Sequence, residues 1–281
     1  MAKKAAKKLI RTVGMIGLGK MGLPMTRHLL AKGFAVSAYD ISEGAVKAAV
    51  DLGAKAARTP GAVAAASDMV IIVVGFEDEV ETVLGGKDGI LAKAKQGTIV
   101  AVASTVSPTY MKELGARKDT KRVVFVDAPL CRGEIAAEKG NLLVMGGGTK
   151  TAFDACRPAF ASFADAVHHL GGLGAGQVGK MINNLLLWAC VSINYEGLKL
   201  ANALGVEEET MRQALLLSSG NNWALETWLQ PRPMPWAEKD MTLVLAEADA
   251  VRVSLPLSGA VKEVSKGIKI EKGLPMPTSK K

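Results

Sequence analysis

Five short apolar runs, each followed by a segment of helical spacing, limit what this chain can fold into. They are RTVGMI (11–16), FAVSAY (34–39), DMVIIVV (68–74), GTIVAVA (97–103) and RVVFV (122–126). Strands that are apolar throughout need cover on both faces, and helices that return the chain between parallel strands supply it. A further run, NLLVMGGG (141–148), and a helix around residues 151–162 complete the unit. The expected architecture is α/β, with a Rossmann-type doubly wound sheet domain first and an all-helical C-terminal domain after it.

The texture changes after Gly171. GGLGAGQVG (171–179) opens a helical pattern that continues to about Asn202 with Leu, Ile, Trp and Ala on most sides. Such a helix needs neighbours on several faces, as at a domain or subunit interface. The rest reads as helical apart from QPRPMPW (230–236), whose three prolines mark a loop. A chain of 281 residues has room for two domains. We assign 1–10 to a basic tail, 11–172 to a dinucleotide-binding Rossmann domain, 173–276 to a helical substrate and oligomerisation domain, and 277–281 to a second tail.

The formal charge of +8 invites a nucleic-acid reading, but Lys3, Lys4, Lys7, Lys8, Lys280 and Lys281 hold six of those eight charges. The body is nearly neutral, so nucleic-acid binding is not expected of it. Three cysteines far apart, Cys131, Cys156 and Cys190, fit reduced thiols in a cytoplasmic protein. No apolar run follows the basic start as a secretory signal requires, and runs such as MVIIVVGF (69–76) fall short of the roughly 20 residues of a membrane span. The expectation is a soluble chain with no membrane partner. His28, His168 and His169 lack companion ligands at metal-binding spacing, so no metal site is expected.

VGMIGLGKMG (13–22) places Gly17-Leu18-Gly19-Lys20-Met21-Gly22 between an expected strand and an expected helix. Gly17 lets the strand turn tightly, Gly19 leaves room for a pyrophosphate against the backbone, and Gly22 lets helix and strand pack closely. The phosphates then sit at a helix N-terminus, where free N–H groups point outward. Asp40 ends the second strand, where an acid accepts hydrogen bonds from the adenosine ribose hydroxyls and repels a 2′-phosphate. Ile41 and Ser42 supply no cation, so NAD is favoured over NADP. Asp40 as a cap of the next helix is the plainer alternative, and Ser42 is an equally good cap.

Lys180 and Asn184 are four residues apart and face one side of the long helix. A lysine there can exchange a proton with a substrate hydroxyl or carbonyl while the asparagine orients that oxygen, provided burial or a nearby cation eases loss of the lysine's proton. Spacing alone is equally compatible with a snorkelling lysine and an interface asparagine.

Five motifs in order bear on that choice: GLGKMGLPM (17–25), STVSP (104–108), DAP (127–129) with GNLLVMGGG (140–148), GAGQVGKMINN (174–184), and KDM (239–241). Through them the chain, from about Arg11 to Pro275, resembles the β-hydroxyacid dehydrogenase family, which includes 3-hydroxyisobutyrate dehydrogenases and tartronate semialdehyde reductases. The resemblance implies an NAD(P)-dependent dehydrogenase or reductase, a homodimer or homotetramer, acting on a small anionic β-hydroxy acid or semialdehyde. It assigns Lys180 to general acid/base work and Asn184 to holding the reacting oxygen. Lys239 falls where the family's lysine approaches the nicotinamide cofactor, and Ser104 and Thr105 fall near its ribose. The glycine loop with Leu18, Lys20 and Met21, together with Asp40 and Phe76, completes the implied cofactor set. Asn222 and Trp223, in SSGNNWALE (218–226), border the implied substrate.

After DAP the family carries a serine-glycine-glycine turn, whereas this chain reads Leu130, Cys131, Arg132, Gly133. A thiol is a poor donor, but a guanidinium grips a carboxylate, sulfonate or phosphate through two hydrogen bonds. A related turn occurs in sulfolactaldehyde reductases of the same family, so Cys131, Arg132 and Gly133 are the expected seat of an anionic head group. An exposed loop cation is the plainer reading of Arg132. The span from Trp223 to Lys239 is short for the family, and relatives carry a last helix where this chain reads Leu274, Pro275, Met276. Two other activities fit the fold. One is imine reduction, against which Lys180 argues, and the other is a non-catalytic module touching nucleic acid through its basic tail.

Overall fold

The computed structural model describes residues 9–230 and 234–275. The Lys3–Lys8 cluster, the middle of the proline loop and residues 276–281 lie outside the described residues.

Among the described residues, the first unit alternates strands and helices in the order β1 (Thr12–Ile16), α1 (Gly22–Ala31), β2 (Ala35–Tyr39), α2 (Glu43–Asp51), β3 (Lys55–Ala56), α3 (Pro60–Ala66), β4 (Met69–Ile72), α4 (Glu77–Leu84), α5 (Ile90–Lys93), β5 (Thr98–Val102) and α6 (Pro108–Ala116). It closes with β6 (Val123–Asp127), β7 (Leu130–Cys131), α7 (Gly133–Lys139), β8 (Leu142–Gly147), α8 (Lys150–Phe160) and β9 (Ala164–Gly171). The strands form one sheet in the order β3-β2-β1-β4-β5-β6-β8-β7, with β9 paired to β8. Pairings from β3 through β6 are all parallel.

Side chains alternate across a strand, and here both faces are buried. Met15 and Ile71 join a core with Met25, Leu29, Phe153 and Phe160, while their neighbours Ile16 and Ile72 join another with Leu84, Val100 and Met111. Each such burial stabilises by about 1.5–3 kcal/mol. This two-sided burial explains why β4 and β5 are apolar without interruption.

Two features depart from the expected sheet. β8 runs antiparallel to β6 and β7. β7 and the short α7 fill the link between β6 and β8, and β8 returns along β7 as an antiparallel neighbour. The second departure is three strands with no apolar run. β3 and β7 have two residues each, and β9, ADAVHHLG, is half-exposed.

The first compact unit ends at Lys180 and the second starts at Met181. Both lie within α9 (Ala175–Ala203), so the two compact units meet inside the long helix. The second unit continues with α10 (Glu208–Leu216), α11 (Trp223–Glu226), α12 (Ala237–Ala250) and α13 (Pro256–Glu271). Its core gathers Trp188 and Val191 of α9, Met234, Ala237 and Met241 around the start of α12, and Val261 and Ile268 of α13. No helix among the described residues is long and apolar enough to cross a membrane.

Candidate active site

Strand order reverses between β1 and β4, and open α/β sheets bind ligands beyond the carboxyl ends of strands at such a point. The glycine loop follows β1 at this place. Gly17 has φ of 92°, donates to Tyr39 O at 3.0 Å, and could carry no Cβ, which would lie 2.1 Å from Val73 O. A Cβ on Gly22 would lie 1.9 Å from Gly17 O, so helix and loop touch there. Gly19 is different: its Cβ position has no atom within 4 Å. Gly17 and Gly22 are required by the fold, and Gly19 leaves backbone open.

The N-terminus of α1 has the same openness. Ser42, Thr59, Ser107 and Thr149 cap α2, α3, α6 and α8 with side-chain oxygens, but no side chain caps α1 and no acid stands in its first turn. A dinucleotide's pyrophosphate fits this uncapped end beside a bare glycine. Leu18 is buried, Met21 packs against the core, and the exposed Lys20 pairs with Glu134 at 3.2 Å.

Asp40 is not the cap of α2; Ser42 is, accepting from Ala45 N. One Asp40 oxygen takes Leu18 N at 2.7 Å and the other takes Ser42 N at 2.8 Å, so the acid braces the glycine loop against the end of β2. A carboxylate has acceptor capacity beyond these two bonds, which leaves it able to meet ribose hydroxyls. Phe76 is half-buried at the start of α4. Ser104 turns inward, its hydroxyl accepting Val74 N at 2.8 Å, so of the Ser104–Thr105 pair it is Thr105 that is less buried.

Asp127 of the DAP motif is fully buried and accepts Gly174 N and Gln177 N, each at 2.8 Å. Burial pushes its carboxyl above the usual carboxylate range, while the backbone N–H groups pull the other way. From the sheet it therefore anchors the start of α9, a role that its motif did not reveal. A Cβ on Gly176 would lie 2.7 Å from that carboxylate, so the helix needs glycine to come this close. Lys180 follows one turn later, its Nζ donating to Leu130 O at 2.7 Å.

The loop that Lys180 reaches holds the expected anion seat. Cys131 is buried in β7, and burial raises its thiol although Lys180 and Arg132 draw it down, so it is a poor nucleophile. Arg132 has φ of 82°, and Gly133 starts α7. The Arg132 guanidinium is already engaged, with Asp165 at 2.5 Å and Asn141 O at 2.8 Å. Gripping a substrate anion through that nitrogen requires giving up this pair. His28 and His169 serve main-chain carbonyls, of Ala137 and Gly148 respectively.

In the second unit, Asn184 is buried and donates to Asp240 Oδ2 at 2.9 Å, an oxygen that also takes Trp188 Nε1 at 3.0 Å. Lys239 is half-buried, with its ammonium 5.3 Å from the Trp236 ring centroid. The sequence marks Asp240 as part of the KDM motif but gives it no role. Asn222, expected to border the substrate, has a structural duty here. Its Oδ1 takes Leu225 N and Asn194 Nδ2 while its Nδ2 donates to Asn194 Oδ1 and Gly220 O, so its amide is spent on capping α11 and tying it to α9. Trp223 beside it is half-exposed.

A doubly wound sheet with an open glycine cradle, followed by a helix bearing a lysine and an aspartate-held asparagine, defines a nicotinamide-dependent oxidoreductase. The chain belongs to the β-hydroxyacid dehydrogenase family. The family model for the NAD binding domain of 6-phosphogluconate dehydrogenase matches residues 12–171, and that for the NAD-binding of NADP-dependent 3-hydroxyisobutyrate dehydrogenase matches 174–274. The 2-(hydroxymethyl)glutarate dehydrogenase of Eubacterium barkeri is 33% identical over 265 residues, covering 91% of this chain and 88% of that protein. The NAD-dependent L-serine dehydrogenase of Pseudomonas aeruginosa is 35% identical over 219 residues, 78% of this chain and 74% of the other. The fold is that of a Mycobacterium tuberculosis 3-hydroxyisobutyrate dehydrogenase solved with L-serine, at a TM-score of 0.85 and 24% identity over 95% of this chain and 97% of that one. The protein is accordingly an NAD(P)-dependent hydroxyacid dehydrogenase.

Proposed function

We propose that the enzyme moves a hydride between nicotinamide and a small anionic β-hydroxy acid or the matching semialdehyde, with Lys180 as general acid/base. The observation that carries this reading is the Lys180 ammonium at the Leu130 carbonyl, 2.7 Å away, on the loop that leads into Cys131, Arg132 and Gly133. When bound, the nicotinamide takes the hydride from the carbinol carbon or returns it to the carbonyl. In oxidation Lys180 accepts the hydroxyl proton, and in reduction it gives that proton back to the carbonyl oxygen. Asn184, fixed by Asp240, orients that oxygen; Lys239 attends the cofactor, and Arg132 meets the anionic head group. Asp40 and the absence of a cation at Ile41 and Ser42 favour NAD over NADP.

Imine reduction on the same fold needs no acid/base partner matched to a hydroxyl, so Lys180 favours the hydroxy acid. A nucleic-acid role would rest on the terminal lysines alone, and binding to random duplex DNA would then fall steeply with salt and vanish once residues 1–8 were removed. A homodimer or homotetramer is supported by α9, on which Ile182, Leu186, Ile193 and Leu200 are 45–62% exposed at near-heptad spacing. Light scattering on the wild type and on Leu186→Glu tests that assembly. Three cysteines that form no disulfide are compatible with a cytoplasmic setting.

The deciding experiment pairs Lys180→Ala with a panel of three- to six-carbon hydroxy acids, semialdehydes and sulfonates, followed by NADH and NADPH absorbance. Turnover is expected to disappear in the variant while NADH still binds. Near-normal turnover would remove Lys180 from the chemistry.

A further inference from the structure

Gln177 lies one turn before Lys180 on α9, is 1% exposed, and has no role in the chemistry above. Its side-chain Nε2 donates to Ser104 O at 2.8 Å and its Oε1 accepts Val106 N at 3.3 Å. These are the two residues that flank Thr105, so one amide clasps the turn on both sides of it. Helix formation does not call for this clasp, because Asp127 already takes the backbone N–H groups of Gly174 and of Gln177 itself. Neither does the turn lack other support. Ser104 Oγ takes Val74 N at 2.8 Å, and Glu77 takes Ser107 N at 2.5 Å. The side chain therefore ties the end of β5 to the helix that carries the lysine.

We propose that Gln177 is a positioning residue that sets Thr105 in register with Lys180, so that the strand-end turn and the proton-transferring lysine are placed by one side chain. The inference rests on the cofactor reading, in which Thr105 meets the nicotinamide half. A neutral donor and a neutral acceptor at the end of a two-methylene stem are what the two backbone groups demand, and glutamine alone among the twenty side chains offers both at that length. Methionine fills the same space with neither. Glutamate keeps an acceptor for Val106 N but, while ionised, presents no donor to Ser104 O; once protonated it supplies one.

The test measures NADH affinity by fluorescence on the full chain, together with kcat and melting temperature, for Gln177→Met, Gln177→Glu, Thr105→Val and the Gln177→Met/Thr105→Val pair. Gln177→Met is expected to stay folded and to bind NADH about tenfold more weakly, the equivalent of one well-placed hydrogen bond. Gln177→Glu should resemble it near pH 8 and recover affinity as pH falls towards about 5, because burial at this position raises the introduced carboxyl above its ordinary value of about 4.3 and so favours the protonated form. That recovery also serves if the methionine variant does not fold. The paired variant should bind no more weakly than the worse single one, since both act through one contact. Wild-type NADH affinity in Gln177→Met, the absence of acid recovery in Gln177→Glu, or fully additive losses in the pair would each overturn the proposal. A wild-type chain that binds neither NADH nor NADPH overturns the cofactor reading itself, which the variants' behaviour cannot imitate.

Discussion

The Asn184 amide donates to Asp240 Oδ2 at 2.9 Å. A carboxylate only accepts, so this contact fixes which end of the amide faces it, and Trp188 Nε1 on the same oxygen holds the carboxylate still. Asp240→Asn removes that discrimination while preserving shape. We expect kcat to fall by about 10–100-fold with little change in melting, the cost of a misdirected hydrogen bond in the reacting complex. Asp240→Ala should lose a further 1–3 kcal/mol or about that in stability, because two buried donors are left unpaired. Steady-state kinetics and calorimetry on both variants separate the two effects.

Asp240 also shows where sequence reading stops. β1, β4 and β5 were legible because burial on both faces writes itself as continuous apolar runs, β2, β6 and β8 because each keeps a largely apolar stretch, and the glycine loop because Gly17 and Gly22 admit no side chain. Asp40 was legible as an acid at a strand end and Asp127 as part of a motif, but neither as a brace, since their partners are backbone N–H groups that any residue carries. The capping duty of Asn222 was likewise not legible, because its partners, Leu225 N, Gly220 O and Asn194, are set by the turn into α11. β9 hid because only Ala164 among its residues is buried, so no apolar run marks it.

Arg132 is the residue on which substrate choice should turn. Its guanidinium is held by Asp165 and Asn141 O, so a substrate anion has to compete with the Asp165 carboxylate. Arg132→Ala is expected to raise KM for an anionic substrate by about tenfold with kcat nearly unchanged, the pattern of lost ground-state binding. Asp165→Ala should lower KM by releasing the guanidinium. An unchanged KM in both variants would return Arg132 to a loop cation.

Acid stability has a definite sign. Hydrogen bonds from Arg212 and then Gln213 hold the Glu209 carboxyl down at about 2, and those from Lys150 and then Arg157 hold Asp154 at about 2. A group lowered in the folded state contributes stability that is present above its unfolded value and is lost as pH falls through the folded one. Melting temperature should therefore drop between about pH 4.5 and about pH 2. Glu209→Gln should start lower at neutral pH and fall less steeply across that window. A parallel pair of pH curves would show that the Arg212 pair contributes nothing.

Lys269 of α13 is 1% exposed and pairs at 2.8 Å with Glu238, itself 12% exposed, in the first turn of α12. Two charges withdrawn from water gain from each other roughly what their desolvation costs, so the pair adds little net stability. Losing one partner, however, strands the other charge in the core that Met241, Val261 and Ile268 form. Lys269→Met is therefore expected to destabilise by about 3–5 kcal/mol, and Lys269→Met with Glu238→Leu to regain most of that. Glu238 immediately precedes Lys239 and Asp240, so the ion pair also fixes where α12 begins and which way those two residues leave it. The double variant should accordingly melt near the wild type yet turn over more slowly, because an apolar contact holds the helix without fixing its rotation. Urea denaturation followed by kinetics on the same samples checks both halves. Full activity in a fully stable double variant would reduce the pair to packing.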